Sequence, residues 1–365
     1  MTNTPLPSGG TPADTATAVG GDTAAAGSLR QEIRWAVLAG SALVGLAVVL
    51  VLGGFSLLPW VIVSALVYCI AIYAVSRAVE GSRHATDRLV TGIVTTFFLM
   101  ALIPLVSLVI DVLGKGTKRL DADFFTLSMR GVVGEGGGIA HALQGTLMIT
   151  LLTTVIAVPI GIMAAIYLVE YGNGNRLSRS LTFFVDVMTG IPSIVAGLFA
   201  FSLFSIFVEP GYKAGIVGVV ALTLLMVPVV VRNTDEMLRL VPNELREASY
   251  ALGVPKWLTI VKVVLPTAVA GIATGVTLAI ARIIGETAPL LVTAGLSTSL
   301  NPNMFKDPMA TLPVFAYYQI TQPGVDKQPY IDRAWSAVLV LIIIVMVLNV
   351  LARLISKFFA PKTGR

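Results

Sequence analysis

Long apolar runs almost free of charge alternate along the chain with short polar stretches, and this alternation sets the expected elements. The runs reach the roughly 20 residues that a helix needs to cross a hydrocarbon core of about 30 Å. They are too long and too numerous to be the buried helices of a soluble core. Eight spans are predicted, at about Trp35–Leu52, Leu57–Ser76, Leu89–Leu113, His141–Tyr171, Leu181–Val208, Gly215–Val231, Val264–Gly295 and Trp335–Phe358. The first two form a hairpin through GGFSLLP, whose glycines and proline permit a tight reversal. A basic loop, RAVEGSRHATDR, follows the second span, and KGTKRLDADFFTLSMRGVVGEGGG reads as an exposed loop after the third. The expected fold class is therefore an all-α integral membrane protein of about eight transmembrane helices.

Composition supports that class: 56% of the 365 residues are apolar and 12% charged, where a globular chain carries roughly a quarter of charged residues. Residues 1–29 hold Thr, Ala, Gly, Ser and Pro with hardly a large apolar side chain, which predicts a disordered cytoplasmic tail. This tail lacks the basic start and apolar core of a secretory signal. The expected organisation continues with an extra hairpin at 30–80, a transmembrane domain at 81–358 and a short cytoplasmic tail at 359–365. The net charge of +5 comes from Lys and Arg scattered among the loops, without the aromatic-interleaved stripe of a nucleic-acid surface. One cysteine, Cys69, permits no intrachain disulfide, and His84 and His141 lack a paired ligand spacing, so no metal site is expected.

Lys and Arg are retained on the cytoplasmic side of a membrane protein. The segments around Arg30/Arg34, Arg77/Arg83/Arg88, Arg176/Arg179, Arg232 to Lys262 and the Arg353 to Arg365 tail carry about twice the basic residues of the alternate gaps. Both termini are expected in the cytoplasm. The 114–140 gap, with Lys115, Lys118, Arg119 and Arg130, runs against this orientation.

The gap from Arg232 to Pro266 is longer than a turn requires. Pro242 suits the first turn of a helix, and Gly253 with Pro255 makes a stop signal. Leu245, Ala248, Ser249 and Leu252 recur at helical spacing as one narrow apolar face, while Glu244, Arg246, Glu247 and Tyr250 point elsewhere. Pro255 can start a second short helix that Pro266 kinks or ends. An amphipathic helix on a lipid surface usually carries many Lys or Arg on its polar face. This one carries two glutamates beside its arginine, which suits a groove in another protein; both docking modes stay open on the residues alone.

The order Glu247-Ala248-Ser249, three residues, Gly253, nine residues, Val263-Val264-Leu265-Pro266 resembles the EAA loop of permease subunits of binding-protein-dependent ABC importers. Ser249 stands for Ala and Val263 for Ile. In that family the loop is a coupling helix that inserts into a cleft of an ATPase subunit, which implies a coupling role for Glu247, Ala248, Gly253, Leu245, Leu252 and Pro266. Further strings, AIYLVEYG, GIPSIVAGLFAF, VPVVVRNTDEML, REASYALGVPKW and IARIIGETAPLL, are similar to the PstA-type permeases of phosphate importers. They cover the six spans from about Leu89 onward; the first hairpin has no counterpart in the usual six-span type I plan. The resemblance implies a non-catalytic subunit that binds no cofactor. Its implied partners are a homologous permease of PstC type, two ATPase subunits of PstB type that use ATP and Mg, and an external phosphate-binding protein of PstS type. The chain itself has no GxxxxGK[ST] phosphate loop, the nearest string being GKGTK at 114–118.

Two charges, Arg282 and Glu286, fall inside the predicted seventh span. A charge at the bilayer centre costs about 2.5–3.5 kcal/mol on insertion scales, so it faces a bundle interior, a water cavity or a partner. On one continuous helix they would share a side with Gly271, Gly275, Ala279 and Pro289. They could simply neutralise each other at i, i+4. Alternatively Arg282 could grip anion oxygens through its planar fork while Glu286 holds it when the pathway is empty. The match to the phosphate-permease branch implies the anion pathway for Arg282. Arg232 at the inner end of the sixth span is a second pathway candidate, or an ordinary topology anchor. Ser193 follows Pro192 in mid-span and could bind the carbonyl freed by that proline or an anion. Glu170 reads as a structural acid at the interface. The alternatives are an importer of sulfate, molybdate or another oxyanion, since fork geometry recognises charge more than identity, and a gradient-driven secondary transporter.

Overall fold

A computed structural model describes residues 29–359 apart from 55 and 173, so most of the predicted N-terminal tail and nearly all of the C-terminal one lie outside the described residues. The described chain is helical: α1 (Gln31–Gly53), α2 (Leu57–Val79), α3 (Ser82–Gly116), α4 (Ala122–Thr126), α5 (Ala140–Ile166), α6 (Arg176–Thr189), α7 (Ser193–Phe207), α8 (Gly215–Arg239), α9 (Asn243–Ala251), α10 (Lys256–Thr259), α11 (Leu265–Ile284), α12 (Ala288–Thr293), α13 (Leu312–Thr321) and α14 (Gln328–Phe359). Among the described residues seven helical runs are long and apolar enough to cross a membrane, and the α6–α7 pair, bent by 107°, can supply an eighth. The chain divides into two compact units, residues 1–108 and 109–365.

In the first unit α1 and α2 approach closely because Gly45 has no side chain: a Cβ there would sit 2.9 Å from the Ser64 Cα. The Trp60 indole donates to the Ala42 carbonyl at 3.0 Å. The predicted basic loop after α2 shrinks to Glu80 and Gly81, because α3 already begins at Ser82, and Gly81 takes the φ of +90° that the reversal requires. Buried Glu80 closes that reversal. It accepts from Arg88 Nε (2.5 Å) and Nη2 (2.7 Å), from the Ser76 hydroxyl (2.8 Å) and from the Leu29 backbone N–H (2.5 Å).

The second unit is built on α5 and α8. Gly161 lets them touch, since a Cβ would lie 2.6 Å from a Val230 methyl. Both helices run the same way. Their N-terminal halves meet around Ile149 and Val219, with Met309, in one apolar cluster, and the far ends of both runs are joined by Arg246, which reaches Glu170 and the Leu238 carbonyl. Residues 172–214 must therefore return from one end of the bundle to the other. This requirement makes the bent α6–α7 pair a broken span. A continuous fifth span over Leu181–Val208 is thus corrected: Gly190 and Pro192 interrupt it, and Pro192, whose nitrogen can donate no hydrogen bond, caps α7 instead of sitting in mid-helix.

Two other boundaries shift. The sixth span does not end at Val231 but continues to Arg239, so VRNTDEML is helical and the connection proper begins at Leu240. Pro266 neither ends nor isolates a short helix, because Lys256–Ile284 forms one helical run. A π-turn at Ile260–Val264, closed by the Leu265 N–H on the Ile260 carbonyl, shifts the register ahead of the proline. Three of the four cations of the 114–140 segment have ion-pair partners: Lys115 with Asp111 (2.8 Å), beside the Trp335 ring, Lys118 with Asp332 (3.3 Å), and Arg119 with Asp121 (3.1 Å). Arg119 also donates to the Gly137 carbonyl (3.1 Å), and the fully buried Arg333 donates to the Gly134 carbonyl (2.6 Å) and Gln319 (3.1 Å).

Candidate functional site

The element predicted from the apolar stripe forms as α9, capped at Pro242. It ends in a Schellman arrangement: the Val254 N–H donates to the Ser249 carbonyl (3.2 Å), the Gly253 N–H to Tyr250 (2.9 Å), and Gly253 takes φ +74°. Leu245, Ala248 and Leu252 project outward, Leu252 with 84% of its surface free. Ser249 does not belong to that outward stripe. It is buried, its hydroxyl 2.8 Å from that of Thr259, because two small hydroxyls can satisfy each other where α9 folds back on α10. Glu244 and Glu247 are exposed beside the stripe.

Arg246 braces α9 from behind. Its guanidinium donates to Glu170 Oε1 from Nε (3.1 Å) and Nη2 (2.8 Å), and to the carbonyls of Val241 (2.7 Å) and Leu238 (2.9 Å). Glu170 lies in a π-turn, Tyr167–Tyr171, that follows α5. Lys256 adds a bond to the Glu170 carbonyl and lies over the Tyr171 ring, 4.9 Å from its centre.

The predicted pathway residues are arranged differently from one helical face. α11 stops at Ile284, Gly285 caps it, and the Glu286 N–H closes a turn on the Ile283 carbonyl (3.1 Å). Arg282 is therefore in the last turn, Glu286 lies beyond the helix, and no ion pair joins them among the described residues. The i, i+4 geometry is lost because Gly285-Glu286-Thr287 separates α11 from α12. Arg282 is exposed and Glu286 half-buried. The small-residue face is filled by the chain itself: a Cβ on Gly275 would lie 2.7 Å from the Asn233 Cβ, and Asn233 donates to the Gly275 carbonyl at 3.2 Å. Pro289 is likewise buried, against Gly197 of α7. Arg232 lies two turns before the end of α8 and pairs with Asp186 of α6, both about half exposed. Ser193 is the first residue of α7, half-buried, next to the break.

The family described as "Binding-protein-dependent transport system inner membrane component" matches residues 157–365, which include α9, its brace and the Arg282 turn. The chain belongs to this family.

The permease is 49% identical over 295 residues to the phosphate transport system permease protein PstA 1 of Mycobacterium tuberculosis, covering 80% of this chain and 94% of the relative. It is 40% identical over 286 residues to the phosphate transport system permease protein PstA of Yersinia pestis, covering 78% and 94%. Its fold is shared with the crystal structure of a bacterial ABC transporter involved in import of the acidic polysaccharide alginate, at TM-score 0.53 and 15% identity over 76% of this chain and 97% of that one. The permease is a multi-pass inner-membrane protein. Two of its polar contacts escaped the reading of the sequence. Asp186 stands in LTFFVDVMTG, an apolar setting as unusual as that of Arg282, and the same cost argument marks it. The helical period places Arg246 only on a polar face, yet it is the buried partner of Glu170.

Proposed function

We propose that this chain is the membrane-spanning subunit through which an ATP-driven importer carries inorganic phosphate into the cytoplasm. The observation that carries the reading is the likeness to phosphate permeases along 80% of the chain, together with an α9 whose Leu245, Ala248 and Leu252 are left exposed by the described residues. A short apolar ridge flanked by acids, held rigid by Arg246 and ended by Gly253, is suited to a cleft in a partner. That partner is the ATPase of PstB type, present twice, which binds ATP and Mg; this chain binds no cofactor and hydrolyses nothing. A homologous permease of PstC type completes the passage, and a phosphate-binding protein of PstS type delivers the anion. Both termini and α9 face the cytoplasm.

Arg282 is the first pathway cation. It is exposed, it has no ion-pair partner among the described residues, and its fork matches phosphate oxygens. Glu286, on the turn beyond the end of α11, forms no ion pair with Arg282 among the described residues and leaves the guanidinium open to the anion. Arg232 is already engaged by Asp186, so it contributes by exchanging that carboxylate for the anion; Ser193 flanks the break between α6 and α7. Glu247, Ala248, Gly253, Leu245, Leu252 and Pro266 serve the coupling element.

The test uses the complete importer in proteoliposomes, with phosphate uptake and ATP turnover measured together. Leu252→Asp should abolish both while assembly in the membrane persists, and Arg282→Gln should lower uptake more than ATP turnover. Uptake without the ATPase subunits would overturn the reading. Uptake competed by sulfate or molybdate as strongly as by unlabelled phosphate would replace phosphate with the wider oxyanion class.

A further inference from the structure

The first unit contains a groove of 640 Å³ between α1, α2 and α3, lined by none of the residues proposed for coupling or for the pathway. Its lining follows one stripe on each helix, from Arg34 on α1 and Asp87 on α3 at one end to Trp60 on α2 and Leu99 on α3 at the other. Asp87 and Leu99 are twelve residues apart, about 18 Å along a helix, close to the half-thickness of about 15 Å of a bilayer core. Gly92 lies on the wall, where it presents no side chain to the groove.

The charges at the mouth are the telling feature. Arg88 also lines it but is held by Glu80. Arg34 donates only to the Leu29 carbonyl (3.3 Å), and neither it nor the exposed Asp87 belongs to an ion pair among the described residues. Among the described residues a cation without an ion-pair partner and an anion that feels only the neighbouring charge of Arg88, itself held by Glu80, thus share one mouth without pairing, above an apolar slot one leaflet deep. A ligand that satisfies all three features carries a phosphate, an ammonium and a hydrocarbon chain. Basic pockets between membrane helices hold lipid headgroups in just this position, and the acid selects among them.

We infer that the groove is a binding site for one phospholipid with a primary-ammonium headgroup, its phosphate on Arg34, its ammonium on Asp87 and one acyl chain along the slot toward Leu99. Free phosphate would leave the apolar slot and Asp87 unused.

The full chain is purified in detergent, stripped of lipid, and offered phosphatidylethanolamine, phosphatidylcholine or phosphatidylglycerol, with bound lipid counted by native mass spectrometry. Phosphatidylethanolamine should be retained about tenfold better than the other two, the equivalent of one charge-assisted contact. Asp87→Asn should erase the preference while phospholipid still binds, and Arg34→Gln should weaken all three. Gly92→Leu should block the slot; the two mouth variants carry the test should that one fail to insert. Equal retention of phosphatidylglycerol, an unchanged preference in Asp87→Asn, or occupation of the groove by a helix of another subunit in the assembled importer would each overturn the proposal. None of these outcomes depends on whether the importer carries phosphate.

Discussion

Buried charge in this permease is tolerated where a second element supplies the counter-charge. Arg246 and Glu170 keep 13% and 5% of their side chains exposed, and removal of one member of so buried a pair leaves the other uncompensated, at a cost of about 3–5 kcal/mol. Arg246→Met should therefore lower the midpoint of thermal unfolding and weaken coupling, and the double variant with Glu170→Gln should lose less than the sum of the single ones in a double-mutant cycle. Glu80 makes a pH-dependent counterpart. The Arg88 hydrogen bonds, with those of Leu29 and Ser76, hold its carboxyl down to about 2 against burial, which pushes the other way. A depressed carboxylate stabilises the fold fully above its unfolded value near 4.5, and that contribution fades as the pH falls from there through about 2. The stability gap between the wild type and Glu80→Gln should thus be widest at neutral pH and close on acidification, as read by thermal unfolding in detergent. At this scale the sequence disclosed which residues carry an awkward charge, Arg282 and Glu170 among them. It did not disclose the partner of Glu170, because Glu170 and Arg246 are 76 positions apart.

Elements followed local chemistry more closely. The stop at Gly253 was legible because a left-handed residue followed by a proline leaves a helix nowhere to continue. Gly253→Val should cost about 1–2 kcal/mol per strained residue and re-aim the end of α9, so uptake should fall while membrane insertion, followed by cell-fraction immunoblots, stays near wild type. Pro266 misled for the opposite reason: a π-turn immediately before it absorbed the missing donor, and such turns have no simple sequence signature. The α6–α7 break was written in Gly190 and Pro192, yet hydrophobicity alone ran across it. The end of α11 at Gly285 was hidden by the same continuity, and with it went the expected pairing of Arg282 with Glu286.

For the whole molecule the orientation admits a direct check on a background in which Cys69 is replaced by Ser. Leu252→Cys on α9 and Val325→Cys before α14, both highly exposed, should label with a membrane-impermeant maleimide from opposite sides, Val325→Cys in intact cells and Leu252→Cys only in inverted vesicles. Labelling of both from one side would contradict the crossing of the Lys256–Ile284 run that lies between them. Sequence by itself determined the membrane class, nearly all of the spans, the helix-and-stop order of the α9 loop and the charges that needed a reason, since hydrophobic run length, turn chemistry and helical period are local properties. Tertiary structure alone decided that Arg246 braces α9 against Glu170, that Asp186 takes Arg232, that Ser249 turns inward, and that Gly271 and Gly275 admit α8 instead of a solute. Those outcomes depend on which distant backbones approach within hydrogen-bond reach, and the helical period of a single segment carries no record of that distance.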